Sequence, residues 1–153
     1  NRFRDPLPPR VVAAVQGLPE TVDRVPIHCL ELHVNGHRHL FEAMDYATYR
    51  RRSRFVWMAG DAGRIEADLI AGKGVVVSEV FANKTGLKTG DRYRVRIAGQ
   101  LLDEPILGLF RDYRTRGGVV YYSLNHYQQR FGDSLLHSTY KRCFQKTITH
   151  LHD

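Results

Sequence analysis

Apolar and polar positions alternate along two stretches of this chain and recur at helical spacing along others. Leu30, Leu32 and Val34 alternate with polar neighbours, Asn35-Gly36 reads as a type I′ turn, and Leu40-Phe41 return. A two-residue turn sets Val34 opposite His37, Leu32 opposite His39 and Leu30 opposite Phe41, with His33 meeting Arg38 on the other face. Tyr93, Val95 and Ile97 alternate with Arg92, Arg94 and Arg96, the period of a strand buried on one face. Val75-Val76-Val77 is a β-branched run, too short for a helix. Further strands are predicted over Ile106–Phe110, Val119–Tyr122 and Thr147–Thr149. Val11, Val12, Val15 and Leu18 form a helical stripe led by Pro9 and closed by Gly17 and Pro19. Residues 1–9 read as an extended lead-in. Asp45 caps a short helix through Tyr49, and Ile65–Ile70 reads as a helix ending near Gly72. Leu124, Tyr127 and Phe131 lie on one helical face between Ser123 as cap and Gly132.

The best-organised stretch runs from Lys73 to Tyr122. Ser78 follows the valine strand as a helix N-cap, and Glu79 sits in the first turn, where the macrodipole favours an anion. Phe81 and Ala82 enter the helix, and Gly86 ends it as a left-handed residue. Lys88-Thr89-Gly90-Asp91 is a turn by composition. Gly108, Phe110, Asp112 and Tyr113 follow, then Gly118-Val119. Each piece is ordinary cap or turn chemistry, but the order and spacing are uncommon.

That order resembles the extracytoplasmic domain of FtsX-like ABC transporter permeases, the MacB/LolC/LolE superfamily. The resemblance runs over residues 72–133, with a compatible order over 10–71, and nothing matches beyond Asp133. The residues that carry it as structural signature are Ser78, Glu79, Phe81, Gly86, Gly90, Asp91, Asp112 and Tyr113. It implies a domain on the periplasmic side of the bacterial cytoplasmic membrane, set between membrane helices that this chain lacks. It implies an ABC ATPase subunit, coupled through the missing membrane part, and a cargo or periplasmic partner protein. Family members move lipoproteins, lipids, peptides or drugs, or regulate cell-wall hydrolases, and a dimer of permeases is compatible with this.

The expected fold is α+β: a mixed or antiparallel sheet with flanking helices, carrying an inserted small β-rich subdomain. Residues 1–71 and 116–153 would form the porter-like scaffold and 72–115 the insertion, all within one extracytoplasmic domain. At 153 residues the chain is long enough to bury a core. No apolar run approaches the length of a bilayer span, and no signal peptide is visible. The chain opens on Asn1 rather than Met, which reads as a segment cut from a longer protein.

The formal net charge of +7 suits nucleic acid, anionic headgroups or an acidic protein, and equally a solvated basic surface. The densest basic run, Arg50-Arg51-Arg52 and Arg54, adjoins Phe55 and Trp57. Arg52, Arg54, Phe55 and Trp57 are therefore the candidate cargo or partner contacts, against a solvated loop anchored by one tryptophan. Arg92, Arg94 and Arg96 read as the wet face of a strand. His28, His33, His37 and His39 look like a metal cluster, but His33 points away from His37 and His39 and no third ligand is placed; no metal is expected. Cys29 and Cys143 are read as two separate thiols, although an extracytoplasmic domain allows a bridge.

Catalytic patterns are weak. Val76 and Val80 stand where a nucleophile elbow needs glycines around Ser78, and Gly72-Lys73-Gly74 precedes a strand, not a helix. Asp91, Asp103, Glu104 and Asp112 lack any acid–base spacing. No enzyme activity, cofactor or nucleic-acid partner is expected. The alternatives are a basic β-barrel that binds nucleic acid through Arg50–Arg54 and Arg92–Arg96, and a small hydrolase around Ser78, His126 or the aspartates.

Overall fold

The computed structural model describes residues 24–51, 53–113, 115–132 and 145–147. The strands are β1 (Arg24–Val34), β2 (His37–Met44), β3 (Val75–Ser78), β4 (Arg92–Ile97), β5 (Gln100–Phe110), β6 (Val119–Ser123) and β7 (Gln145–Thr147). The helices are α1 (Tyr46–Tyr49), α2 (Ala62–Ile70), α3 (Glu79–Thr85) and α4 (Leu124–Phe131). The strands hydrogen-bond in the order β4-β5-β3-β6-β2-β1-β7. β2 runs parallel to β6 and β3 parallel to β5, while the other pairings are antiparallel. The fold is thus α+β with a mixed sheet and helices against it.

The β1–β2 hairpin has the register its turn dictates: Val34 opposite His37, Leu32 opposite His39, Leu30 opposite Phe41, His33 opposite Arg38. Asn35 and Gly36 both have positive φ, as a type I′ turn requires. Asn35 also donates its side-chain amide to the carbonyl of Thr85, tying the hairpin tip to the end of α3 at 3.1 Å.

β3 and β6 are buried along their whole length, so alternate residues feed two cores. On one face Phe41, Val75, Val77, Val120 and Tyr122 pack with Phe81 of α3 and Tyr127 and Phe131 of α4. On the other Cys29, Met44, Val76, Val119 and Tyr121 pack with Tyr46 and Tyr49 of α1 and Ile65 and Leu69 of α2. A central strand covered on both sides reads as a continuous apolar run, as Val75–Val77 does.

β4 turns Tyr93, Val95 and Ile97 into the first core and leaves the three arginines outside. The sheet curls enough for Tyr93 to stack on Phe41, four strands away in the order, at 6.2 Å between centroids. The segment 72–115 contributes β3, β4 and β5, contiguous at one end of the sheet and bonded to β6 of the flanking part.

Several expectations need correction. β5 starts at Gln100, not Ile106. Its first half pairs with β4 and its second half with β3, and Pro105, which has no N–H to donate, stands where the partner changes. α2 starts at Ala62, capped by Asp61, whose carboxylate accepts from the Arg64 N–H at 3.3 Å. The last strand is Gln145–Thr147, overlapping the expected Thr147–Thr149 at one residue. The expected lead-in and helix over 1–18 lie outside the described residues. Cys29 is fully buried and disulfide-bonded, so the reading of two separate thiols is overturned; the other cysteine, Cys143, lies outside the described residues. A buried cysteine on β1 meets only what the fold packs beside it, which sequence spacing does not reveal.

Candidate functional site

The residues singled out between 78 and 113 hold one another. Ser78, fully buried, accepts from the backbone N–H of Phe81 at 3.2 Å and of Val119 at 3.0 Å. It therefore caps α3 and fastens the start of β6 to it. Glu79 in the first turn of α3 accepts from the Tyr113 hydroxyl at 2.9 Å, and that bond raises the phenol's pKa. Asp112 accepts from Thr115 at 3.0 Å. Asp91 accepts from the Lys88 N–H at 3.0 Å, while its own carbonyl receives the Ile106 N–H and the Gly90 N–H reaches the Ile106 carbonyl. Gly86 ends α3 in the left-handed conformation. Gly118 has φ of +91°, and a Cβ there would stand 2.5 Å from the Phe81 nitrogen, so only glycine lets β6 start this close to α3.

The candidate contact segment is extended against the end of β5. Trp57 bridges to Phe110, with Met58 N–H donating to Leu109 and Arg111 N–H to Val56, both at 2.9 Å. Side chains alternate accordingly: Ser53, Phe55 and Trp57 turn inward, Arg54 and Val56 outward. Phe55 stacks on Phe110 at 4.3 Å and on Tyr121 at 5.0 Å, so its ring is largely used inside the second core. Trp57 is half-buried and donates its indole N–H to Glu66 at 3.3 Å. Arg52 lies outside the described residues.

Glu66 is the residue that the sequence reading missed. It is 4% exposed on α2, yet its carboxylate receives four donors. The Tyr46 hydroxyl donates at 2.7 Å and Trp57 at 3.3 Å to one oxygen. Arg50 at 3.5 Å and Arg54 at 3.3 Å approach the other. Burial first, and then the bond to Glu66, push the Tyr46 phenol far above its ordinary value. The spacing of Glu66 between Ile65 and Leu69 on a helix was the available sign, since a residue beside two core positions sits at the rim of the buried stripe.

The second basic stretch is largely engaged. Arg92 and Arg94 both reach Asp103 across the β4–β5 pair, at 2.9 and 3.1 Å, and chiefly the Arg92 hydrogen bond holds that carboxyl below its usual range. Arg96 bonds the Gly99 carbonyl at 3.4 Å. The histidines separate. His39 is buried against Tyr93, 2.6 Å from its hydroxyl, whereas His33 and His37 are exposed. Among the described residues no group of three or more His, Cys, Asp or Glu side chains converges as a metal would require.

Ser78 has both N–H bonds and no solvent access, and His126 is not beside it. His126 bonds Ser123 instead, Nδ1 to Oγ at 2.7 Å, with its own N–H also on that oxygen at 3.4 Å, a local cap of α4. Beside this cap, at the carboxyl ends of the parallel β2 and β6, lies an open cleft of about 310 Å³ that includes Met44, Asp45, Leu69 and Asn125.

No family model matches the chain, and no curated protein does. Among solved structures it is similar to the extracellular domain of the noncanonic ABC-type transporter YknZ from Gram-positive bacteria. That likeness covers 88% of this chain and 69% of that one, at 14% identity and a TM-score of 0.51. It is a likeness of fold. Among the described residues no helix is long and apolar enough to cross a membrane.

Proposed function

We propose that this chain is the extracytoplasmic domain of an ABC transporter permease of the FtsX-like, MacB and LolC/LolE kind. In this reading it takes up movement generated by an ATPase on the other side of the membrane and passes it to a cargo or to a periplasmic partner. The observation that carries the reading is the fold likeness to an extracellular transporter domain over most of the chain. The order of cap, turn and strand motifs between Ser78 and Val119 supports it independently. So does the disulfide at Cys29, because such bonds persist in oxidising compartments. The residues identified also suit a scaffold: Ser78, Glu79 and Asp91 fasten elements together and present no reactive group. The face proposed for cargo or partner contact is the segment from Arg52 to Trp57, of which Arg54 and Val56 point outward.

The test is the full-length gene product in membranes with its ATPase. A label on a cysteine introduced at Arg54 should react from the extracytoplasmic side only. Its distance to a second label on the partner should change when ATP is added. Labelling from the cytoplasm, or a distance indifferent to ATP, would remove the proposal.

A further inference from the structure

We propose that the open cleft where α1 and α4 leave the sheet is a binding site for a neutral sugar residue, free or at the end of a glycan. None of the described residues that line it belongs to the Arg52–Trp57 face, so the site stands apart from the transporter reading. β2 and β6 are parallel neighbours that end side by side at Met44 and Ser123. α1 then packs on the second core through Tyr46 and Tyr49, and α4 on the first through Tyr127 and Phe131. Two parallel strands whose following helices take opposite faces leave a crevice at their carboxyl ends, and that is where open α/β sheets hold their ligands. Here the crevice measures about 310 Å³, at the small end of ligand sites and suited to one compact ring.

The lining restricts what can sit there. Asn125 and Gln128 are exposed, three residues apart and so on one side of α4, and their carboxamides have no hydrogen bond among the described residues. On the α1 side the Asp45 carboxylate accepts from the Thr48 N–H at 3.2 Å and from its hydroxyl at 2.8 Å, which leaves about two of its four acceptor positions open. Ser123 is engaged by His126, and the Tyr46 hydroxyl by Glu66. Ile70 and Leu124, both half-buried, supply apolar wall. No Lys, Arg or His is among the described lining residues, so a phosphate or carboxylate would meet Asp45 without a counter-charge. An ammonium only donates, and would leave the N–H ends of both carboxamides unmatched. An extended peptide adds to a strand edge, whereas these are strand ends. Neighbouring hydroxyls on a sugar ring both donate and accept, so they can complete the carboxylate and both ends of each carboxamide.

The experiment is titration of the isotope-labelled chain with glucose, N-acetylglucosamine and the disaccharide chitobiose, followed by amide chemical shifts. Saturable shifts confined to residues 44–47, 69–70 and 123–128 are expected, with Kd of about 1–10 mM for a single ring. Chitobiose binding more tightly than N-acetylglucosamine would support the site with a glycan end as its source, and equal binding would support it with the free sugar. Asn125→Ala and Gln128→Ala should each weaken binding about fivefold, as loss of one hydrogen bond does. Asn83→Ala, exposed on α3 and outside the cleft, should leave it unchanged. All three place alanine on an exposed helix position that tolerates it, and circular dichroism checks the fold. Absence of saturable shifts, shifts centred elsewhere, undiminished binding in Asn125→Ala and Gln128→Ala, or larger shifts of the same amides with inorganic phosphate, butylammonium or triglycine would overturn the proposal. None of those results bears on ATP-dependent movement, so the transporter reading stands or falls separately.

Discussion

Two buried polar residues carry testable consequences that apolar packing does not. Removing Glu66 would strand the Tyr46 hydroxyl and the Trp57 indole N–H without their acceptor and leave Arg50 and Arg54 facing each other. Glu66→Ala should cost about 2–4 kcal/mol in urea denaturation, with Trp57 emission shifted to the red. Glu66→Gln, which keeps an acceptor oxygen, should cost less. His39 gives a pH dependence. Burial, outweighing its bond to the His37 carbonyl, lowers its pKa from 6.5 to about 4, with a small push from His33. The folded state therefore binds fewer protons than the unfolded state between those values, and stability rises with pH there. The contribution is complete above the unfolded pKa and is lost as pH falls towards 4, about 3 kcal/mol in all. Other groups titrate too, so the measurement is the difference between the native chain and His39→Gln, followed by denaturation from pH 7 downwards. A difference that stays flat across that range would mean that His39 takes its proton in the folded state.

At the scale of elements, α3 and β6 are joined where Gly118 passes the Phe81 backbone. Gly86 and Gly118 have similar positive φ, +80° and +91°, but only Gly118 has atoms within reach of an added Cβ. Alanine at Gly86 should cost about 1–2 kcal/mol, the left-handed penalty alone. Alanine at Gly118 should cost clearly more, since helix and strand must separate; equal melting temperatures for the two variants would refute the close approach. Elements whose ends are written in local chemistry were legible beforehand. The Asn35-Gly36 turn fixes the hairpin register, Asp45, Ser78 and Ser123 each cap a helix, and the arginine alternation marks β4. The first half of β5 was not, because Asp103-Glu104-Pro105 has loop composition and becomes a strand only through pairing with Arg92–Arg94. The partners of Glu66 were illegible for the same reason: its four donors come from α1, its C-cap and a loop that sequence distance does not place beside α2.

For the molecule as a whole, strand order and covalent closure are the long-range facts. Parallel pairing of β2 with β6, and of β3 with β5, depends on crossovers that local patterns do not specify. Cysteine pairing is a still longer-range property. Cys29 lies in the interior of β1, one strand from the β1–β7 edge that the last described residues form. Cys29 is disulfide-bonded, and a bond to the chain's other cysteine, Cys143, closes a loop spanning most of the sequence. Loop closure removes freedom mainly from the unfolded state, so reduction should lower stability by about 2–4 kcal/mol. Cys29→Ala should reproduce that loss and become insensitive to reductant. Proteolysis without reductant, followed by mass spectrometry, should recover the Cys29 and Cys143 peptides as one species. Two freely alkylated thiols in chain purified from an oxidising compartment would break this link, and would also withdraw one of the supports for an extracytoplasmic setting, leaving that reading to rest on fold likeness and motif order alone.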